Sequence, residues 1–245
     1  MLRALVILFS LLVLVAVIGG GAVLGVFWHY GRDLPDYRQL ADYDPPVMTR
    51  VHAGDGRLMA EYAREKRAYV PIQAIPKRVI HAFLAAEDKN FYDHPGIDLP
   101  SVGMAAFRNL KNMGTGRRPV GASTITQQVA KNFLLTNEVS LTRKIKEAIL
   151  ALRMERAFSK DHILELYLNE IFLGQNSYGV TAAAQTYFNK SLRELAPHEA
   201  AFLASMPKAP SDYHPVRNRD RLLQRRNFVL REMQENGYLD MATFE

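Results

Sequence analysis

Residues 76–98 read PKRVIHAFLAAEDKNFYDHPGID. Pro76 suits the first turn of a helix, where its missing N–H is no loss, and Ile80, Phe83 and Leu84 recur at the spacing of one buried face. Glu87 continues that face, close to where Pro95-Gly96 must end any helix. Burial opposes a charged carboxylate, and so does the negative end of the helix dipole. Two readings follow from the residue types alone: a solvated helix terminus, or a carboxylate held ready as a general base.

The pattern Glu87-Asp88, Phe91, His94, Gly96, Asp98 spells E-D-x-x-F-x-x-H-x-G-x-D. It resembles the first signature of the peptidoglycan glycosyltransferases, the family 51 enzymes found in class A penicillin-binding proteins and monofunctional transglycosylases. Further stretches are similar to the family's other signatures, in the same order. GASTITQQVAKNFLL carries a capping Ser123 or Thr124, then Gln127, Gln128 and Lys131. SLTRKIKEAILALRMER reads as a long helix with Leu141, Ile145, Ala148, Ile149 and Leu152 inward, and Arg143, Lys144 and Glu147 gathered on an adjoining face. Val139 stands where many relatives carry a basic residue. SKDHILELYLNEIFLG begins with Ser159 as a cap and matches the family at Lys160, Ile163, Leu164, Tyr167, Leu168 and Asn169. LAPHEAAFLASMPKAPSDYHP matches it through Pro207, Lys208, Pro210 and Tyr213.

Outside these motifs the residues bound the fold. Ala4 to Trp28 contains no charged residue, a run long enough to cross a bilayer core of about 30 Å. A cleaved signal peptide is the rival reading, but its apolar core would be only about 7–15 residues. Arg3 is the only charged side chain before the span, which favours a cytoplasmic amino end. Residues 31–46 form a polar linker, and the runs flanking Gly54-Asp55-Gly56 suggest a β-hairpin. Beyond Pro71 the pattern is helical, with LPSVGMAAFRNLKNM placing Val102, Ala105, Ala106 and Leu110 inward and Gly114–Gly121 forming a basic loop. The expected division is 1–30 anchor, 31–69 linker and hairpin, and 70–245 catalytic domain.

The composition adds exclusions. There are no cysteines, so disulfides and thiolate chemistry are ruled out, and the seven histidines show no zinc-type spacing. Ser205-Met-Pro-Lys208 fits the S-x-x-K pattern of penicillin-binding transpeptidases, but Pro207 interferes with the helical turn that motif needs. A formal net charge of +6 suits an anionic partner such as a phosphate-bearing substrate or a membrane surface.

The resemblance implies a mainly α, lysozyme-like domain, with a small, partly hydrophobic lobe resting on the membrane, behind a transmembrane helix. It implies polymerisation of lipid II into β-1,4-linked glycan with release of undecaprenyl pyrophosphate. Glu87 and Glu147 are the expected catalytic carboxylates. Asp88, Phe91, His94, Ser123, Thr124, Gln127, Gln128, Lys131, Arg143 and Lys144 are the expected substrate-binding residues, with Asp88 a candidate ligand for a divalent cation (Mg2+ or Mn2+). The implied partners are lipid II, lipid-linked nascent glycan, the membrane, a moenomycin-like phosphoglycolipid inhibitor and other cell-wall synthesis proteins, with no nucleic acid. The implied location is the bacterial inner membrane, single-pass, with the domain on the periplasmic side. A lysozyme-like hydrolase and a non-catalytic tethered scaffold are the alternatives. A chain ending at Ala242-Thr-Phe-Glu245 leaves room for a following transpeptidase domain.

Overall fold

Helix α1 (Leu2–Gly31) holds the uncharged run. Over Leu5–Gly31 it is long and apolar enough to cross a membrane, and its apolar side chains stand exposed rather than packed in a core. The rest of this computed structural model, which describes residues 2–41, 43, 49–55, 57–62, 66–116, 120–136, 138, 140–210 and 212–240, is mainly helical as expected. Gly56, Val139, residues 117–119 of the basic loop and residues 241–245 lie outside the described residues.

Strands β1 (Thr49–His52) and β2 (Leu58–Tyr62) pair antiparallel, with Thr49 opposite Tyr62 and a bulge between Val51 and His52. This is the hairpin expected around Gly54-Asp55, and Asp55 shapes its turn by accepting from the Arg57 N–H at 3.1 Å. A second, minimal pairing joins β3 (Lys66–Arg67) to β4 (Ser177–Tyr178) in parallel.

The body is built from α2 (Lys77–Glu87), α3 (Leu99–Lys111), α4 (Ile125–Leu134), α5 (Leu141–Ala157), α6 (Lys160–Glu170), α7 (Val180–Phe188), α8 (Pro197–Ser205) and α9 (Arg219–Glu235). Helix α2 packs on α8 and α9, and α4 packs on α5 and α6. Val79, Phe83, Ile125, Leu150, Met154, Ile163, Tyr167 and Val229 meet in one continuous core, each aliphatic or aromatic side chain contributing about 1.5–3 kcal/mol of burial. Asn169 pins the chain entering this body to α6. Its amide accepts from the Val70 N–H and donates to the Val70 carbonyl, both at 2.9 Å.

Two expectations about buried faces need correction. On α5 the buried residues are Glu147, Ile149, Leu150, Ala151 and Met154, while Leu141 is exposed in the first turn. The buried face is rotated toward the charged one because contact ion pairs let Glu147 join it. On α3 only Ala105 is buried; Val102, Ala106 and Leu110 are exposed, and so are Leu99 and Phe107, with Met113 exposed just beyond the helix end. Periodicity identifies which face of a helix is apolar, but not whether protein covers it. Among the described residues no helix packs extensively on α3.

Candidate active site

Helix α2 ends at Glu87, where the Asp88 N–H makes the last bond to the Leu84 carbonyl and Asp88 itself turns extended. The Glu87 side chain is only 12 % exposed. One oxygen accepts from Gln128 Nε2 of α4 at 3.0 Å, and the other lies 3.6 Å from Arg225 Nη2 of α9. Arg225 is held in turn by the Ala86 carbonyl at 3.2 Å and by the Phe228 ring, 4.8 Å from its guanidinium carbon. Burial pushes the Glu87 pKa up, and the nearby Asp88 adds to it; Gln128, Arg225 and Lys208 pull the other way without cancelling the rise. Lys208 is the mirror image. Its pKa is held down by burial and by Arg225, with Glu87 opposing.

The residues that follow Glu87 form the frame around it. Both Asp88 oxygens are occupied: His94 Nε2 donates to them at 3.0 and 3.1 Å, and the Ile125 N–H donates to Oδ2 at 2.9 Å, at the start of α4. His94 Nδ1 accepts from the Gly96 N–H, which assigns the proton to Nε2. Phe91 is fully buried beneath the Lys160 ammonium, 4.4 Å from its ring centre. Thr124 caps α4 in a reciprocal box with Gln127 and donates its hydroxyl to the Gly96 carbonyl at 2.6 Å. Gly96 has φ +101°, and a Cβ there would meet the Ala151 carbonyl oxygen at 2.8 Å. Asp88, Phe91, His94, Thr124 and Gln127 are all buried, and the Asp88 oxygens, both His94 ring nitrogens, the Thr124 hydroxyl and the Gln127 carbonyl oxygen are hydrogen-bonded within the protein.

The second carboxylate sits on α5. Glu147 makes an ion pair with Arg143 one turn earlier, and its other oxygen lies 2.7 Å from Lys144 Nζ. Lys144 also donates to Ser123 Oγ at 2.7 Å, and Ser123 lies one residue before the cap of α4. Helix α4 and the residue before its cap thus link to both carboxylates, Gln128 to Glu87 and Ser123 to the cluster at Glu147. Lys131 is on the Gln128 side of α4, three residues further along, and makes no ion pair among the described residues. The structure brings together Glu87 with Gln128, and Glu147 with Arg143, Lys144 and Ser123.

Arg225 is the site residue that the sequence reading passed over entirely, and Lys208 was read only as part of a motif. Arg225 reaches Glu87 across 138 positions, a tertiary contact with no local spacing to betray it. Tyr167 is a third such residue. Its hydroxyl is buried without a hydrogen-bond partner among the described residues, and burial together with Glu87 and Asp88 raises its pKa well above the ordinary value.

For a divalent cation the donor set does not fit. The Asp88 oxygens are taken by N–H donors and those of Glu147 by cations, and among the described residues no group of three His, Asp or Glu converges.

Residues 55–234 match the family model described as Transglycosylase. The chain is 54% identical over 239 residues to penicillin-binding protein 1A of Rickettsia conorii, covering 98% of this chain and 30% of that protein. It is 42% identical over 228 residues to penicillin-binding protein 1A of Escherichia coli, covering 93% of this chain and 26% of that protein. The crystal structure of penicillin-binding protein 1A from Haemophilus influenzae shares 29% identity, with 82% of this chain and 20% of that chain covered and a TM-score of 0.45. The chain spans less than a third of the length of these curated relatives.

Proposed function

Because the chain belongs to the transglycosylase family, we propose that it is a peptidoglycan glycosyltransferase that polymerises lipid II, with Glu87 as general base. The observation that carries this reading is the pair of unlike carboxylate environments on the two sides of α4. One carboxylate has a raised pKa, and the other is the centre of a cationic cluster.

A sugar hydroxyl is a weak nucleophile at neutral pH. Glu87 takes its proton as the hydroxyl oxygen attacks the anomeric carbon of the donor, the growing chain on its lipid pyrophosphate. The bond from that carbon to the pyrophosphate oxygen breaks with its electron pair, so negative charge develops on the leaving group. Arg143, Lys144 and Lys131 stabilise that charge, and Glu147 holds the first two in place. Attack opposite the leaving group inverts the anomeric centre, turning an α-linked donor into a β-1,4-linked glycan. Gln128 orients the Glu87 carboxylate, and Arg225 keeps its pKa from rising further. A divalent cation used by the reaction would be held by the donor's pyrophosphate rather than by Asp88 or Glu147, and would supply further charge neutralisation there.

Helix α1 supplies the anchor in the bacterial inner membrane, and the exposed apolar side chains of α3, Leu99, Phe107 and Leu110, together with Met113 just after it, give the domain a second contact with lipid. Moenomycin-like phosphoglycolipids would compete at the Arg143–Lys144 cluster by presenting the same phosphate. The test is to supply the detergent-solubilised chain with lipid II and Mg2+ or Mn2+. Long glycan is expected; shortening of pre-formed glycan without polymer would point to a lysozyme-like hydrolase instead.

A further inference from the structure

Where α1 ends, the chain folds back against the C-terminal half of α5. Arg153 Nη2 donates to the Gly31 carbonyl at 3.0 Å, which closes one side of a cleft of about 450 Å³. Its lining includes Leu34, Tyr37, Arg38, Arg153 and Arg156, with Asp36 the only acid. Asp36 is already engaged, accepting from the Arg38 N–H at 2.9 Å. Arg38 and Arg156 are exposed, and their guanidiniums form no ion pair among the described residues. Three guanidiniums therefore face a single carboxylate, in a volume within the roughly 300–1,000 Å³ range of small-molecule sites.

The depth of this cleft follows from α1. Trp28 lies one turn before Gly31, and the Arg32 guanidinium sits 4.6 Å from the centre of its ring. An aromatic ring with a cation over it at the end of an apolar span marks the boundary between hydrocarbon and water. Arg38, Arg153 and Arg156 then stand at the level of lipid headgroups. Planar guanidiniums match the paired oxygens of a phosphodiester, whose concentration at that level is far above that of any soluble anion.

We propose that this cleft binds the headgroup of an anionic phospholipid in the leaflet where α1 emerges. The inference rests on α1 crossing a bilayer and on none of the sugar chemistry.

The test uses the full chain in nanodiscs of phosphatidylcholine, with and without one third phosphatidylglycerol, and reads amide hydrogen exchange. Phosphatidylglycerol is expected to slow exchange over residues 32–40 and 150–157, by about fivefold for each arginine engaged. In the double variant Arg38→Gln/Arg156→Gln that slowing should disappear, with the melting temperature unchanged because both side chains are exposed. No effect of phosphatidylglycerol on the unmodified chain, or an equal effect on the variant, overturns the proposal. Equal protection by millimolar inorganic phosphate in phosphatidylcholine alone would make this a free-anion site and overturn the lipid assignment. Failure to co-float with phosphatidylcholine vesicles would overturn the reading of α1, and this proposal with it; co-flotation without lipid-dependent protection overturns this proposal alone.

Discussion

Glu87 and Glu147 are both withdrawn from water, and each has basic side chains nearby, yet their surroundings differ in kind. The cations at Glu147 come from its own helix, three and four residues earlier, and touch both of its oxygens. Those at Glu87 come from α9 and from the segment after α8, and the cationic nitrogen in ion-pair range, on Arg225, stands 3.6 Å away. Desolvation is the larger influence at Glu87, and its proton affinity rises. Burial alone therefore does not separate the two carboxylates; what differs is the counter-charge, in hydrogen-bond contact at Glu147 and beyond hydrogen-bond distance at Glu87.

The sharpest way to break this comparison is to remove each charge in turn. Glu87→Gln keeps the shape but cannot accept a proton, so lipid II turnover should fall about 10³-fold or more. The same substitution should raise the melting temperature at pH 7. Folding raises the Glu87 pKa, so the ionised form costs stability above the folded pKa, and the gain from the amide should vanish as pH drops below the ordinary carboxylate range. Turnover retained in this variant, measured on single-turnover time scales, would end the assignment of Glu87 as base.

A smaller loss is expected at the other carboxylate. Glu147→Gln leaves Arg143 and Lys144 without their shared anion, and turnover should fall by about 10²-fold with weaker binding of moenomycin. The melting temperature should move in the opposite direction, down by several degrees, because a buried partner of two cations has been lost. Equal signs in the two melting shifts would show that the environments do not differ as described.

The smallest effect tests the cation held out of contact. Arg225 lowers the Glu87 pKa, so Arg225→Gln should raise it and move the acid limb of the kcat/KM profile to higher pH. The loss at pH 7 should stay below about tenfold. An acid limb that stays in place would mean that Arg225 serves only the Ala86 carbonyl and the packing of α9.

The parts of this arrangement that sequence reading reaches are those with local geometry. Arg143, Lys144 and Glu147 stand three and four apart on one helix, and Thr124 and Gln127 form a capping box, so spacing alone groups them. Glu87 stood out because a carboxylate extended an apolar stripe. Arg225 and Lys208 carry no such mark, since their meeting with Glu87 depends on how α9 and the end of α8 pack on α2. Helix α3 shows the converse limit. Its apolar face was legible, but its exposure depends on what lies opposite, which no window of residues contains. Asp88 and His94 stood in the motif as substrate contacts, while the structure places them in the frame that fixes the start of α4 against the end of α2.

Helix α5 has a further consequence. Near its start it carries Glu147 and the two cations, and six residues later it carries Arg153, fastened to the last residue of α1. The axial rise between them is about 9 Å, and a continuous helix neither stretches nor bends easily over so short a span. Helix α5 is thus a gauge that sets how far the cationic cluster stands from the end of the apolar helix α1. The proposed lipid-linked substrate would present its phosphates at one height only, so one residue inserted between Glu147 and Arg153 would turn the cluster by about 100° and shift it off that plane without altering any group in it.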